Sequence, residues 1–232
     1  MKEITKKANK KATLAIFAAQ ARAHVYKAMR VHLSRDRSTR NIAGLMDSKV
    51  PGITEIIDLQ FKADLSNLIQ YILIIEVDLW CLLEDMVVTR SRWKKRLYAR
   101  LIAITMFECF DDLNYLLGKP LRDQLMKAHL SHFETNRQKI HSQFSALNKK
   151  YKAPLKIIRN CSIGHREHSV EKQLEAIASF KPVQMYKIAY KYIILNRKAL
   201  SLLLLPIEEE MEQRYVELSN KMNKKLKEMG LK

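Results

Sequence analysis

The chain has 232 residues, of which 47% are apolar, so it is long and apolar enough to bury a core of its own. It contains only five glycines and five prolines, while leucine, isoleucine, lysine and alanine are abundant. This composition argues against a sheet and predicts an all-α fold. The net charge of +18 favours a polyanionic partner, such as nucleic acid or an anionic membrane surface.

Residues 1–52 are predicted to form a basic N-terminal extension. Apolar positions recur at helical spacing through residues 2–30 and are separated by lysine and arginine, so we expect an amphipathic helix with a basic face. Residues 32–52 are polar and aperiodic, which is typical of a linker. The basic face is either a solvated surface or a segment that grips RNA or a partner. No signal-peptide pattern follows the basic start.

Residues 53–232 carry an almost continuous helical pattern and are predicted to form one helical domain. Residues 68–88 and 92–117 are apolar around nearly the whole helix, which places both at the centre of a bundle. The apolar run at 68–83 is interrupted by Glu76 and Asp78, so we expect no membrane span and no membrane partner. Helix breaks are predicted near residues 66, 89–91, 118–120, 153–154, 164, 181–182 and 205–206.

Several residues of the central helices allow two interpretations. Glu108 lies in an otherwise apolar run and needs a partner, so it is either a functional carboxylate or a structural group that pairs with a neighbouring arginine. Trp80, Trp93 and Tyr98 lie at helical spacing, which favours core or interface positions over base stacking. The basic residues of this region form either a water-exposed helix end or a ridge that binds phosphates; they are Arg92, Lys94, Lys95 and Arg96.

The sequence predicts no metal and no cofactor. His129, His132 and His141 lie near Glu134, but the spacing of a zinc or di-iron motif is absent, and a solvated polar helix explains them. The acidic residues of the central helices are explained more simply by pairing with arginines than by a carboxylate metal cluster. The three cysteines are too far apart for a disulfide framework, so we expect a reducing cytoplasm.

The richest chemistry lies at residues 159–168, which read RNCSIGHREH. A short helix is expected to start at Pro154, and Gly164 can end it. His165 then falls at a corner, where the break lets its imidazole turn back toward the Arg159 guanidinium. The apolar positions of this helix are predicted to face inward: Leu155, Ile158 and Cys161.

An imidazole and a guanidinium in one pocket suit RNA phosphodiester chemistry without a metal. The imidazole takes the proton of a ribose 2′-OH or delivers one to the 5′-oxygen, and the guanidinium holds the nonbridging oxygens as negative charge develops. Asn160 adds a neutral donor and acceptor that can orient the phosphate. Arg166 and His168 are better placed to contact the RNA backbone than to catalyse.

The segment IIRNCSIGHRE resembles the motif of the HEPN superfamily, and within it that of the abortive-infection and toxin-like ribonucleases. The resemblance covers about residues 60–200. The resemblance implies an all-helical bundle, usually a homodimer that brings two motifs into one cleft. It also implies metal-independent cleavage that leaves a 2′,3′-cyclic phosphate. On this resemblance Arg159 would stabilise the transition state, Asn160 would support it, and His165 would act as general acid or base.

We therefore expect a cytoplasmic endoribonuclease of a defence or toxin system, restrained by an antitoxin or regulatory protein. One alternative is a noncatalytic RNA-binding or assembly module on the same fold. Another is a basic helical protein that binds DNA or a protein, in which residues 159–168 are only a polar corner.

Overall fold

The structure is a computed structural model and describes residues 53–162, 171, 175, 177–178 and 181–228. Its regular segments are all helical, and no strand occurs in these residues, which confirms the predicted all-α class. The predicted extension, residues 1–52, lies outside them. The helices are α1 (Ile53–Val88), α2 (Arg92–Leu116), α3 (Lys119–Lys127), α4 (Glu134–Ser162), α5 (Pro182–Ala199) and α6 (Leu205–Glu228), with a 3₁₀ turn at Ser131–Phe133 and a π-helical segment at Leu200–Leu204.

Helices α1 and α2 form an antiparallel hairpin. The predicted break at residues 89–91 is confirmed, because Ser91 caps α2 by accepting the Lys94 backbone N–H at 3.3 Å. Further along, the Tyr71 hydroxyl donates to Asp112 across the pair at 2.6 Å. The two helices meet through buried apolar side chains, which include Ile69, Ile72, Leu79, Ile102, Ala103 and Met106.

The predicted break near residue 66 is wrong, because α1 runs unbroken through Ser66. Ser66 is buried, and its hydroxyl accepts a hydrogen bond from Gln70 Nε2 at 3.2 Å. Leu65 and Ile69 on either side of it are buried, so the apolar stripe continues across the serine. A satisfied serine costs a helix little, and the periodicity of the core residues outweighs its preference for turns.

Helix α4 runs antiparallel to α2. At the start of α4, Arg137 Nη1 donates to the carbonyl of Leu117, just after the end of α2, at 2.8 Å. Later in α4, Lys152 Nζ lies 2.6 Å from Asp111 Oδ1, which precedes Leu117 by about 1.7 turns. The last turn of α4 therefore lies beside the middle of α2.

The structure places Pro154 inside α4, so the predicted helix start at residues 153–154 is wrong. The proline provides no N–H for the carbonyl of Lys150, at a cost of about 3 kcal/mol. The predicted inward positions Leu155 and Ile158 are confirmed, at 0% and 8% exposure. Burying two such side chains contributes about 1.5–3 kcal/mol each, enough to carry the helix through the proline.

A second proline, Pro206, is also accommodated inside a helix, although a break is predicted at residues 205–206. The chain continues from α5 through the π-helical segment into α6. In a regular α-helix the ring of Pro206 would crowd the Leu202 carbonyl and deprive it of a donor. The wider π turn relieves the crowding, and the carbonyl accepts a hydrogen bond from Asn136 Nδ2 of α4 at 3.2 Å.

Two other predicted boundaries are confirmed. Gly118 caps α3 with Pro120 in its first turn, and Pro182 opens α5. The predicted break at Gly164 lies outside the described residues. Among the helices that the structure describes, none combines the length and apolarity needed to cross a bilayer.

A buried polar cluster lies where α1, α2 and α5 meet. The Cys109 thiol is 5% exposed and contacts the hydroxyls of Tyr71 and Tyr192. Burial raises the pKa of the Cys109 thiol to about 12, although the neighbouring Tyr71 and Tyr192 hydroxyls act in the opposite direction. Burial likewise raises the pKa of Tyr192 well above its ordinary value.

We expect Cys109 to resist thiol reagents while the protein is folded. With a pKa near 12, about one thiol in ten thousand is a thiolate at about pH 8, and that thiolate is shielded by the core. In a Cys81→Ser/Cys161→Ser variant, Ellman's reagent should therefore react only after guanidinium chloride unfolds the chain. Rapid reaction in native buffer would contradict this burial.

Candidate functional site

Arg159 lies in the last turn of α4, at the border of the bundle. Its neighbours Leu155 and Ile158 are buried, so the apolar face of α4 fixes the direction of the Arg159 side chain, which is 33% exposed. The guanidinium lies over the Phe107 ring of α2, with Cζ 5.3 Å from the ring centroid. Packing thus positions the guanidinium and leaves part of it open to water.

Glu108 is the carboxylate nearest to this guanidinium. The apolar sequence around Glu108 suggests a buried carboxylate, but α2 turns Met106 and Cys109 inward and leaves Glu108 59% exposed. The predicted arginine partner is confirmed: Arg159 Nε lies 3.9 Å from Glu108 Oε1. This distance is too long for a hydrogen bond. Among the residues that the structure describes, no other group accepts a hydrogen bond from Arg159.

The remaining motif residues are only partly described. Asn160 is half-buried, and its amide forms no hydrogen bond with the residues described here. His165, Arg166 and His168 lie outside the described residues. The pairing of Arg159 with His165 therefore stays a prediction.

The basic ridge, Arg92, Lys94, Lys95 and Arg96, occupies the start of α2. Arg92 and Lys94 are exposed, and Lys95 and Arg96 are partly exposed. Within the described residues, none of the four side chains forms an ion pair. The first turn of α2 has no acidic residue, so these cations lie where the aligned backbone dipoles already favour an anion. This charge arrangement disfavours the free helix and favours bound phosphate.

Trp93 lies within the basic ridge and is 54% exposed, so a core position is wrong, while a position at an interface with another chain stays a prediction. The buried stripe of α2 begins only at Ala99, nearly two turns later, so the core does not extend to Trp93. The same prediction is confirmed for Trp80, which is 3% exposed, and for Tyr98, which packs against the core.

Arg159 lies on the side of α2 that carries Trp93 and Lys94, whereas the other three ridge cations lie farther around the helix. Glu108, which marks the position of Arg159, follows Trp93 by 15 residues, or about 22 Å along the helix axis. A rotation of about 100° per residue puts Trp93 about 60° and Lys94 about 40° from Glu108 around that axis. A polyanion lying along this side of α2 can therefore reach Lys94 and Arg159.

The histidines considered as metal ligands have separate partners. His132 Nε2 lies 2.9 Å from Glu210 Oε2, and His141 Nε2 lies 3.0 Å from the Asn114 carbonyl oxygen. In the part of the chain that the structure describes, no three His, Cys, Asp or Glu side chains come together as metal ligands.

Comparison with known proteins adds no family: no protein-family model, curated protein or solved structure matches this chain. The likeness to the HEPN superfamily rests on the motif between Arg159 and Arg166.

Proposed function

We propose that this protein is a metal-independent endoribonuclease of the HEPN type. The observation that carries the proposal is the state of Arg159, whose guanidinium is fixed over Phe107 and has no hydrogen-bond partner among the described residues. A planar, preorganised guanidinium whose donors no described residue uses suits two phosphate oxygens. Asn160 follows it directly, and His165 lies six positions on in the sequence.

The proposed reaction is an intramolecular transesterification. The ribose 2′-oxygen attacks the adjacent phosphorus, the bond from phosphorus to the 5′-oxygen breaks, and the products are a 2′,3′-cyclic phosphate and a 5′-hydroxyl. His165 transfers a proton at one of the two oxygens, Arg159 holds the nonbridging oxygens, and Asn160 orients the phosphate.

The charge along α2 supports RNA as the substrate. Residues 87–166 carry 17 basic and 5 acidic side chains, and Lys94 of the basic ridge lies on the same side of α2 as Arg159. Sequence-independent phosphate contacts of this kind supply affinity and register. We further propose that Arg166 and His168 contact the RNA backbone, that the enzyme acts as a homodimer in the cytoplasm, and that an antitoxin or regulatory protein restrains it.

The deciding experiment is RNA cleavage by the full chain with and without EDTA. We expect EDTA-insensitive cutting with 2′,3′-cyclic phosphate ends, and a loss of about 100-fold or more in His165→Ala, because this residue is assigned the proton transfers. The matched histidine control is His129→Ala, at an exposed position just before the 3₁₀ turn, and it should cleave RNA at the parental rate. Equal cutting by His165→Ala would reject the mechanism.

The exposed cations of the basic ridge also support the alternative, a noncatalytic RNA-binding or assembly module on the same fold. That module would bind RNA in a salt-dependent way but leave it intact under every condition of the same experiment. Binding without cleavage would therefore select the alternative.

A further inference from the structure

We propose that Trp93 is a base-stacking platform that binds single-stranded RNA beside the basic ridge. This inference rests on the proposed function and names the form of RNA that the protein takes. It starts from an unusual exposure: a tryptophan with 54% of its surface in water lies among four cations that have no ion-pair partner in the described residues.

Arg100 packs against one face of the Trp93 ring. Its guanidinium carbon lies 5.8 Å from the ring centroid, and its Nε donates to the Arg96 carbonyl at 3.4 Å. Arg100 is 8% exposed, and no carboxylate that the structure describes pairs with it. A buried guanidinium on one face of the indole orients the ring and leaves the rest of its surface for a ligand.

Cations lie on both flanks of the Trp93 ring. At about 100° per residue, Arg96 lies about 60° and Arg92 about 100° from Trp93 around the helix axis. Lys94 lies about 100° away on the opposite flank, toward the Glu108 direction. Phosphates on either side of a stacked base can thus be met by positive charge.

Stacking on an indole requires a base whose face is free, so the platform selects single strands over duplexes. The distance of about 22 Å from Trp93 to the level of Glu108 corresponds to about six or seven nucleotides at a stacked spacing of about 3.4 Å. A strand held at Trp93 can therefore extend to Arg159. An acidic peptide could bind the cations of the basic ridge, but it would gain nothing from the Trp93 ring.

The test is binding of a fluorescent 2′-O-methyl uridine oligonucleotide of about 12 nucleotides to the full chain, read by anisotropy. The 2′-O-methyl group blocks attack by the 2′-oxygen, so binding is measured whether or not the protein cleaves RNA. Trp93→Leu should raise Kd about 5- to 100-fold, and Trp93→Phe should recover most of the affinity. Trp93→Leu should leave the salt dependence unchanged, whereas Lys94→Ala should lower its slope by about 0.7.

The matched control is Tyr115→Leu, which removes another exposed aromatic residue, 68% exposed, at the far end of the same helix. It should bind as the parent chain does. Equal affinity of Trp93→Leu and the parent, or an equal loss for an RNA duplex, would overturn the platform. If the full chain does not cleave RNA but Trp93→Leu weakens binding as expected, the proposed enzyme is wrong and the platform stands. If cleavage depends on His165 but Trp93→Leu binds RNA as the parent does, only the platform is rejected.

Discussion

Replacing Arg159 with alanine is expected to lower the single-turnover rate of RNA cleavage by about 100- to 1000-fold, while Kd for RNA rises by less than about tenfold. The guanidinium is assigned to charge that grows on the nonbridging oxygens, so its loss weakens the transition state more than the bound substrate. The rate is measured at saturating RNA, and Kd is measured with the 2′-O-methyl oligonucleotide. Arg159→Lys should recover little of the rate, because an ammonium lacks the planar pair of donors.

Two variants separate this role from general loss of charge or fold. Lys149→Ala removes an exposed cation from the same helix and should cut RNA at the parental rate. Glu108→Gln removes the long ion pair but keeps the guanidinium over Phe107, so it should also remain active. If Arg159→Ala loses affinity and rate by the same factor, Arg159 is only a binding group.

Arg137→Met is expected to lower the free energy of unfolding by about 3 kcal/mol. Arg137 is 6% exposed, and it donates to both oxygens of Glu134 at 2.7 Å and to the carbonyls of Leu117 and Gly118 at 2.8 and 3.1 Å. Its removal leaves a carboxylate and two carbonyls without charged donors in a poorly hydrated place. Urea denaturation at about pH 7 measures the loss.

The matched control is Arg122→Met, which breaks the exposed pair of Arg122 and Asp123 and should cost less than about 1 kcal/mol. The two variants remove the same charge, so a similar loss in both would contradict the assigned role of the buried contacts.

The Arg137 effect should also depend on pH. The hydrogen bond from Arg137 is the main reason why the pKa of Glu134 is lowered from its ordinary value of 4.5. A carboxyl group whose pKa is lowered in the folded state stabilises the fold at pH values above its ordinary pKa. This stabilisation is lost as the pH falls through the folded-state pKa. The stability gap between the parent and Arg137→Met should therefore narrow from about pH 5 to about pH 3. A constant gap would assign the whole effect to the two carbonyls.

The helical class and much of the core follow from the sequence, because the apolar periodicity is long and the breaks at residues 89–91 and 118–120 have capping residues. The two internal prolines do not follow from it. Pro154 is carried by the burial of Leu155, and Pro206 by a π turn and a hydrogen bond from Asn136, which are contacts between distant parts of the chain. Local rules for proline do not include such contacts.

For the candidate site, the sequence predicts the pairing of Glu108 with an arginine but not its exposure. Exposure depends on how α2 is rotated against α4, and a mostly apolar run does not specify that rotation. Trp93 escapes prediction for a related reason: helical spacing cannot tell where along α2 the neighbouring helices stop covering it.

The two tryptophans of this chain lie in opposite surroundings, and they therefore give separate optical signals. Trp80 is 3% exposed and lies beside the Glu76 and Arg197 pair, so its fluorescence comes from a shielded site and should change when the core unfolds. Trp93 emits from a wet, cationic site that an anionic quencher such as iodide can approach readily. Unfolding and surface events can thus be followed in one unlabelled sample.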